Sequence, residues 1–364
     1  MLRKCVVLAA LSFAMAGWAA AAHPDANAPV KIMTQNMDDG TDQTYIVAAL
    51  TGAIPIDVPT AVDLTFAELQ ASNFEGRSSL LAAQIADREP EIVALQEAAL
   101  WRFGPTPDTA TTVLFDQLGL LVSALSALGV PYDVIAVNRL NDLALPGDQI
   151  GGALRFTDRN AVLVRSDLRP PQFHLSNVHS RTFDAALPFA GLTVTAGWIS
   201  ADIHMRNKQF RFVTTHLESP VQGVPEATDV QVAQAQELIH ELRNLTIPVV
   251  ICGDFNSDAN HGDFVDATPT ADLIQSAGYT ETWPATHGIG DPGLTWPFFL
   301  EDQFPAPPFF APFIPMERID LCFSKGMVAV SSDLVVTPAP PDALNPLAPP
   351  FGSDHAGVIA VFHP

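Results

Sequence analysis

Short, almost wholly apolar segments recur along this chain, and the residue at or just past the end of nearly every one is a carboxylate, an amide or a histidine. Asn36 and Asp38, Glu97, His216, Asp254 and Asn256, Asp320, and the pair Asp354 and His355 all stand in such places. Apolar runs of four to eight residues bounded by polar residues read as buried strands. In a packed α/β protein the strand ends at one rim of a sheet converge, so ionisable groups placed there share a cleft. The chain therefore reads as a scaffold that gathers charge at one edge.

The segments fall into a mixed order. Val30 to Gln35 reads as a first strand entering a turn over 36–40, and residues 41–76 show no sustained period and read as loop or short helix. From Arg77 to Arg88 the apolar positions Leu80, Leu81, Ile85 and Ala86 fit one helical face, and Pro90 ends it before the strand Ile92 to Glu97. A second helix is predicted over Thr111 to Leu128 and a third over Val230 to Leu245. Strands are predicted at 132–137, 161–165, 191–204, 209–217, 248–254, 317–323 and 357–362. Strand follows strand directly from 191 to 217, so an α/β sandwich fits better than a doubly wound parallel sheet. Residues 292–315, rich in proline and phenylalanine, read as a long surface loop.

The first residues have the order of an export signal: Arg3 and Lys4, an apolar stretch from Cys5 to Trp18, then Ala19 to Ala22 before His23. The apolar run is short of the roughly 20 residues a membrane span needs, so residues 1–22 are expected to be removed, leaving a secreted or periplasmic chain. The remaining 23–364, about 340 residues, suffice for one large domain. Loss of Cys5 leaves Cys252 and Cys322, either bridged or, more commonly for cysteines inside apolar strands, two buried thiols. The formal charge of -22 becomes -24 when Arg3 and Lys4 go, and Lys31, Lys208 and Lys325 are then the remaining lysines. Such a surface repels polyanions at long range, which weighs against nucleic acid without excluding a local basic cleft.

Taken together, Thr34-Gln35-Asn36-Met37-Asp38, Ile92 to Glu97, Thr214-Thr215-His216-Leu217, Gly253-Asp254-Phe255-Asn256, Arg318-Ile319-Asp320 and Ser353-Asp354-His355 resemble the ordered motif set of the endonuclease/exonuclease/phosphatase superfamily. Each motif alone is weak; six in order across most of the chain are not. The resemblance implies a four-layer α/β/β/α sandwich of the deoxyribonuclease I-like kind and hydrolysis of a phosphate ester at one edge. The superfamily includes deoxyribonucleases, abasic-site endonucleases, inositol polyphosphate phosphatases and neutral sphingomyelinases, and fold alone does not choose among them.

Glu97 and Asp38, supported by the Asn36 amide oxygen, are the oxygen ligands that Mg²⁺ or Mn²⁺ prefers, although Asp38-Asp39-Gly40 also reads as an ordinary turn. His355 titrates near neutral pH and is the candidate base; by resemblance Asp320 orients it, Asp254 aligns the attacking water and Asn256 and His216 hold a phosphate oxygen. Asp354 stands behind these groups as a supporting carboxylate. Asp158, opening Asp158-Arg159-Asn160-Ala161-Val162-Leu163-Val164-Arg165, resembles the acid that pairs with His216 in secreted deoxyribonucleases, and a plain strand-edge charge is the competing reading. Arg102, Arg159 and Arg206 are candidates for gripping phosphate, whereas His174, His179 and His204 read as surface or core residues.

The leading expectation is thus a phosphodiesterase or phosphatase with no obligate protein partner. Nucleic acid and phospholipid compete as substrates, the latter favoured by the aromatic stretch Phe298-Phe299 to Phe313; residues 304–315, just before the strand that delivers Asp320, either fold back as a hydrophobic plug or expose an apolar patch for a lipid or other apolar partner. A different class, an exported binding or adhesion protein on a catalytically decayed scaffold, predicts losses among the motif residues, and all are present.

Overall fold

In the computed structural model the described residues are 28–171, 173–206, 208–221, 223–262, 267–288, 290–301, 310–339 and 349–363. The expected export signal, residues 1–22, lies outside them. Among the described residues no helix is long and apolar enough to cross a membrane.

Numbered along the chain, the strands are β1 (Val30–Asn36), β2 (Ile92–Gln96), β3 (Leu100–Gly104), β4 (Thr112–Asp116), β5 (Tyr132–Pro146), β6 (Ala153–Arg165) and β7 (Phe173–Thr182). They continue as β8 (Leu187–Phe189), β9 (Leu192–Val194), β10 (Gly197–Met205), β11 (Lys208–His216), β12 (Val249–Asp254) and β13 (Thr280–Glu281). The last are β14 (Phe299–Glu301), β15 (Phe310–Pro312), β16 (Asp320–Lys325), β17 (Val328–Val335) and β18 (Gly357–His363). The helices are α1 (Thr44–Thr51), α2 (Val58–Ala71), α3 (Phe74–Arg88), α4 (Gln117–Ala127), α5 (Pro225–Leu242), α6 (Thr270–Ser276) and α7 (Thr282–His287).

An eight-stranded sheet runs β17-β18-β1-β2-β6-β3-β4 with β5 paired to β6, and a six-stranded sheet runs β13-β16-β12-β11-β10-β7. Each holds one parallel pair, β1 with β2 and β11 with β12, flanked by antiparallel neighbours. The inner faces meet through Ile32, Ile92 and Ala360 from one sheet and Phe212, Val250 and Cys252 from the other. Helices α3 and α4 cover the outer face of the first sheet with Leu81, Ile85 and Leu121, and α5 and α6 cover the second with Leu238 and Ile274. Fully burying each such side chain contributes about 1.5–3 kcal/mol. The result is the expected α/β/β/α sandwich. Its central strands, β2 and β12 above all, are buried on both faces, which is why they read as continuous apolar runs rather than alternating ones.

The structure departs from the sequence reading in places where local chemistry outweighed period. Residues 41–76 hold α1 and α2, the second opened by Asp57, whose side chain accepts from Thr60 N at 2.9 Å. The helix expected over 111–128 is split: Thr112–Asp116 is a strand, and Asp116 caps α4 by accepting from Gly119 N at 3.3 Å. The proline-rich segment contains the short hairpin β14-β15, with Phe304 and Phe309 outside the described residues. Cys252 and Cys322 face each other across β12 and β16 as free, buried thiols.

One buried acid bears on stability. Glu68 on α2 is 1% exposed, and Thr41 donates to its Oε2 at 2.7 Å. Burial raises its pKa to about 8. The folded chain therefore keeps a proton that the unfolded chain releases above its ordinary value of 4.5, so this group's contribution is fully present below that pH and is lost as pH rises towards 8. Glu68→Gln should raise the unfolding temperature more at pH 8 than at pH 5; an equal change at both would contradict the assignment.

Candidate active site

The parallel pairs set the site. Asn36 closes β1 beside Gln96 of β2, and His216 closes β11 beside Asp254 of β12. Asp320 starts β16 opposite Asp254, and His355 lies two residues before β18. Six elements thus deliver polar side chains to one rim, as the sequence pattern implied. The sheets are tied together there by Asn36, whose Nδ2 donates to Glu97 Oε1 at 2.8 Å and to Asp254 Oδ2 at 2.9 Å. The Asn36 oxygen expected on a metal accepts from Asp38 N at 2.8 Å, while the amide nitrogen faces the carboxylates.

Asp38, Glu97 and Asn256 all have left-handed backbone, with φ of 57°, 51° and 46°. For non-glycine residues such a conformation costs on the order of 1–3 kcal/mol and survives where surroundings fix it. The turn after Glu97 is fixed by Arg159, which donates from Nε to Ala98 O at 2.6 Å and from Nη2 to Ala99 O at 3.0 Å. Asn256 is fixed by its N–H on Asp254 Oδ1 at 2.9 Å and its Nδ2 on Leu217 O at 3.0 Å.

His355 is 7% exposed, and its Nδ1 lies 2.8 Å from Asp320 Oδ2. A proton on Nδ1 satisfies that contact and leaves Nε2 towards Asp254 Oδ2 at 3.8 Å and Asp354 Oδ1 at 3.9 Å. Burial works against the charged imidazole, but Asp320, Asp354 and Asp254 outweigh it and hold its pKa well above the ordinary value. Burial in turn raises Asp320 to about 6 and Asp354 to about 7, with His355 pulling both down. Trp296 Nε1 donates to Asp354 Oδ2 at 2.8 Å.

Carboxylate oxygens of Asp38, Asp39 and Glu97 lie within 4.8 Å of one another, as do ligand atoms of Glu97, His216 and Asp254. Burial raises the Asp38 and Asp39 pKa values; the Arg77 charge opposes this at Asp38, while Glu97 adds to it at both. Hard oxygen donors crowded together in a site short of positive charge fit a divalent cation of the Mg²⁺ or Mn²⁺ kind. The counter-charge present is Arg77, 2% exposed, with Nη2 at 3.0 Å from Asp38 Oδ2. Arg77 also donates to Asp38 O at 2.7 Å, to Met37 O, to Ser72 Oγ at 2.6 Å and to Gly352 O at 3.1 Å. Neither Arg77 nor Asp39 stood out in the sequence, where one opens a helical pattern and the other belongs to a turn.

His216 is likewise raised: burial opposes the charged form, and Asp254, Glu97 and Asp158 outweigh it. Its Nε2 meets Asn256 Nδ2 at 3.1 Å, with Asp254 at 3.7 Å and Glu97 at 3.9 Å. No hydrogen bond joins Asp158 to His216; Asp158 Oδ1 is buried without a hydrogen-bond partner, and burial raises its pKa to about 6. The three candidate arginines are all engaged: Arg159 as above, Arg102 with Asp142 at 3.0 Å, and Arg206 with Glu91 at 2.7 Å and Pro29 O at 2.7 Å. Removing one partner of a buried ion pair costs about 3–5 kcal/mol. Arg77→Met should lose stability on that scale in chemical denaturation and weaken Mn²⁺ binding in calorimetry. Wild-type behaviour in both would show that Arg77 does not organise the rim.

A model of the Endonuclease/Exonuclease/phosphatase family matches residues 66–355. Among solved structures, the endonuclease/exonuclease/phosphatase from Beutenbergia cavernae aligns with a TM-score of 0.55 at 18% identity, over 92% of this chain and 72% of that one. Humanized D. rerio TDP2 gives 0.53 at 13% identity, over 92% and 99% of the two chains. A mannosyl-6-phosphatase from Bacteroides thetaiotaomicron gives 0.53 at 14%, again over 92% and 99%. At these identities the likeness carries the fold. No curated protein shows a significant sequence match.

Proposed function

This chain belongs to the endonuclease/exonuclease/phosphatase family of metal-dependent phosphoesterases, and from that premise we propose that it hydrolyses, by direct attack of water, a phosphate ester whose alcohol carries an apolar portion. Asp38, Asp39 and Glu97 would hold Mg²⁺ or Mn²⁺, which when bound polarises phosphoryl oxygens and offsets their charge. Asn36 orients Glu97 and Asp254 by its two donated hydrogen bonds. Asp320 fixes the tautomer of His355 so that Nε2 exchanges a proton at the reacting centre. The surrounding carboxylates raise the pKa of that imidazole, so positive charge brought to the rim would oppose them and favour acceptance at Nε2. Asp254 aligns the water, and His216 with Asn256 faces the phosphate; both Asn256 N–H bonds are already directed to His216 and Leu217, so phosphate competes with them.

The observation that carries the substrate class is the rim beside His355. Phe298 N donates to Asp354 O at 2.7 Å and Phe313 N to Phe298 O at 2.8 Å, tying the β14-β15 hairpin to the segment that bears the histidine. Phe310 is buried there, edge-on to Phe299 at 5.7 Å. Just beyond, Phe313 and Met316 are each 38% exposed and Ile314 is 80% exposed. An exposed apolar ridge next to a hydrolytic centre suits an apolar or lipid substrate, and the -22 charge disfavours a polyanion. The competing nuclease reading draws on the buried Asp158, whose charge helps raise the His216 pKa, and is weakened by the lack of a hydrogen bond between the two. Residues 1–22 support export, with the mature chain secreted or periplasmic.

A panel of bis-p-nitrophenyl phosphate, sphingomyelin, inositol phosphates, RNA and plasmid DNA, each with and without Mn²⁺, tests the reading. Glu97→Gln should abolish the metal-dependent rate, and His355→Ala should lower kcat by about 10²–10⁴ with folding unchanged. Full activity in excess chelator would sink the metal-dependent mechanism. Phe313→Ser with Ile314→Ser should depress hydrolysis of the lipid substrate while sparing bis-p-nitrophenyl phosphate. Preference for plasmid DNA, unaffected by that double variant, would transfer the case to the nuclease reading.

A further inference from the structure

We propose that Thr295 is a positioning residue for the Asp320 and His355 pair. Its hydroxyl oxygen accepts from two consecutive backbone amides, Ile319 N and Asp320 N, each at 3.1 Å. Its carbonyl accepts from Ala356 N at 2.8 Å, the residue directly after His355. Its own N–H donates to Glu317 O at 2.7 Å. One fully buried side chain and its peptide unit therefore hold the backbone at both ends of the carboxylate-imidazole contact. Asp320 and His355 are 35 residues apart and come from different sheets, so their 2.8 Å contact depends on something that spans the gap.

The hydroxyl oxygen is spent on the two amides, and the group lies close enough to the Asp320 carboxylate to draw it towards the ionised form, against the effect of burial. Asp320 Oδ1 itself is buried without a hydrogen-bond partner. Trp296 adds a lateral constraint: it binds Asp354 through Nε1, and its ring centroid lies 6.2 Å from that of His355. Replacing the hydroxyl by a methyl group of the same size leaves two buried N–H groups without an acceptor. The Asp320 end of the contact would then shift relative to the imidazole, and displacement of a catalytic group by about 1 Å can cost on the order of 10²-fold in rate.

This inference rests on the dyad reading above, and the test separates the two. With bis-p-nitrophenyl phosphate, Thr295→Val should lower kcat by roughly 10- to 100-fold and leave KM within about twofold. Thr295→Ser, which keeps the hydroxyl, should recover kcat to within about threefold. In an Asp320→Asn background Thr295→Val should add little, because its effect runs through that carboxylate. If the valine variant does not fold, Thr295→Cys, similar in size with a poor acceptor, replaces it. A folded valine or cysteine variant with wild-type kcat overturns the proposal, as does an equal loss in the Asp320→Asn background. Unchanged kcat in Asp320→Asn alone would instead overturn the dyad.

Discussion

Two hydrogen bonds donated by one amide group, Asn36 Nδ2 to Glu97 and to Asp254, hold the rim together. Asn36 belongs to the eight-stranded sheet, Glu97 directly follows its strand β2, and Asp254 belongs to the six-stranded sheet. Sheets in a sandwich are otherwise held by apolar contacts, which fix spacing but are indifferent to small sliding. A donor shared between carboxylates on opposite sheets is not indifferent. Below it Thr34 donates to Gln96 Oε1 at 3.0 Å, and Gln96 Nε2 donates to Thr214 Oγ1 at 2.9 Å, extending the polar seam between the layers. Every other distance in the site presupposes that register.

The same seam concentrates negative charge. Asp38, Asp39, Glu97, Asp254, Asp320 and Asp354 share one rim with His216, His355 and Arg77 as the neighbouring basic groups. Carboxylates taken out of water beside one another are costly unless paired. The raised pKa values of Asp38 and Asp39, and those of His216 and His355, raised by the carboxylates around them, are two signs of one deficit of positive charge. Left-handed backbone at Asp38, Glu97 and Asn256 adds strain at the same place. A hard dication relieves the first of these, which is the physical reason a fold that builds this rim is also one that uses metal.

What could be read from the sequence follows from how each residue is presented. Glu97, His216, Asp254, Asp320 and His355 were legible because each sits at the edge of an apolar strand, and burial on both faces makes such strands conspicuous. The sandwich followed from strands succeeding one another after residue 191. The atom that Asn36 offers was not legible, since an amide turns whichever end its neighbours demand. Arg77 was hidden because an arginine in the first turn of a helix is normally solvated, and only the tertiary fold brings Met37, Ser72 and Gly352 around it. Thr295 was hidden for the opposite reason: it lies in a proline-rich stretch with no period, and its partners are set by topology. The strand within 111–128 was missed because its apolar spacing suits a helix until Asp116 supplies a cap.

Composition alone could not divide the phenylalanine-rich segment, because the same residue type serves two purposes a few positions apart. Phe310 pairs with Phe299 and is 5% exposed, so it stabilises the hairpin and has no surface to offer a ligand. Ile314, four residues on and 80% exposed, contributes almost nothing to folding. An apolar side chain left in water gains nothing from the fold that displays it, and here it is displayed on a loop whose root is bonded to Asp354, the residue before His355. On the proposed reading, a substrate that buries this ridge would be brought to His355 by apolar contact. Under that proposal an acidic protein of charge -22 meets an anionic phosphate without long-range attraction, and capture would fall to short-range apolar contact and to positive charge brought to the rim.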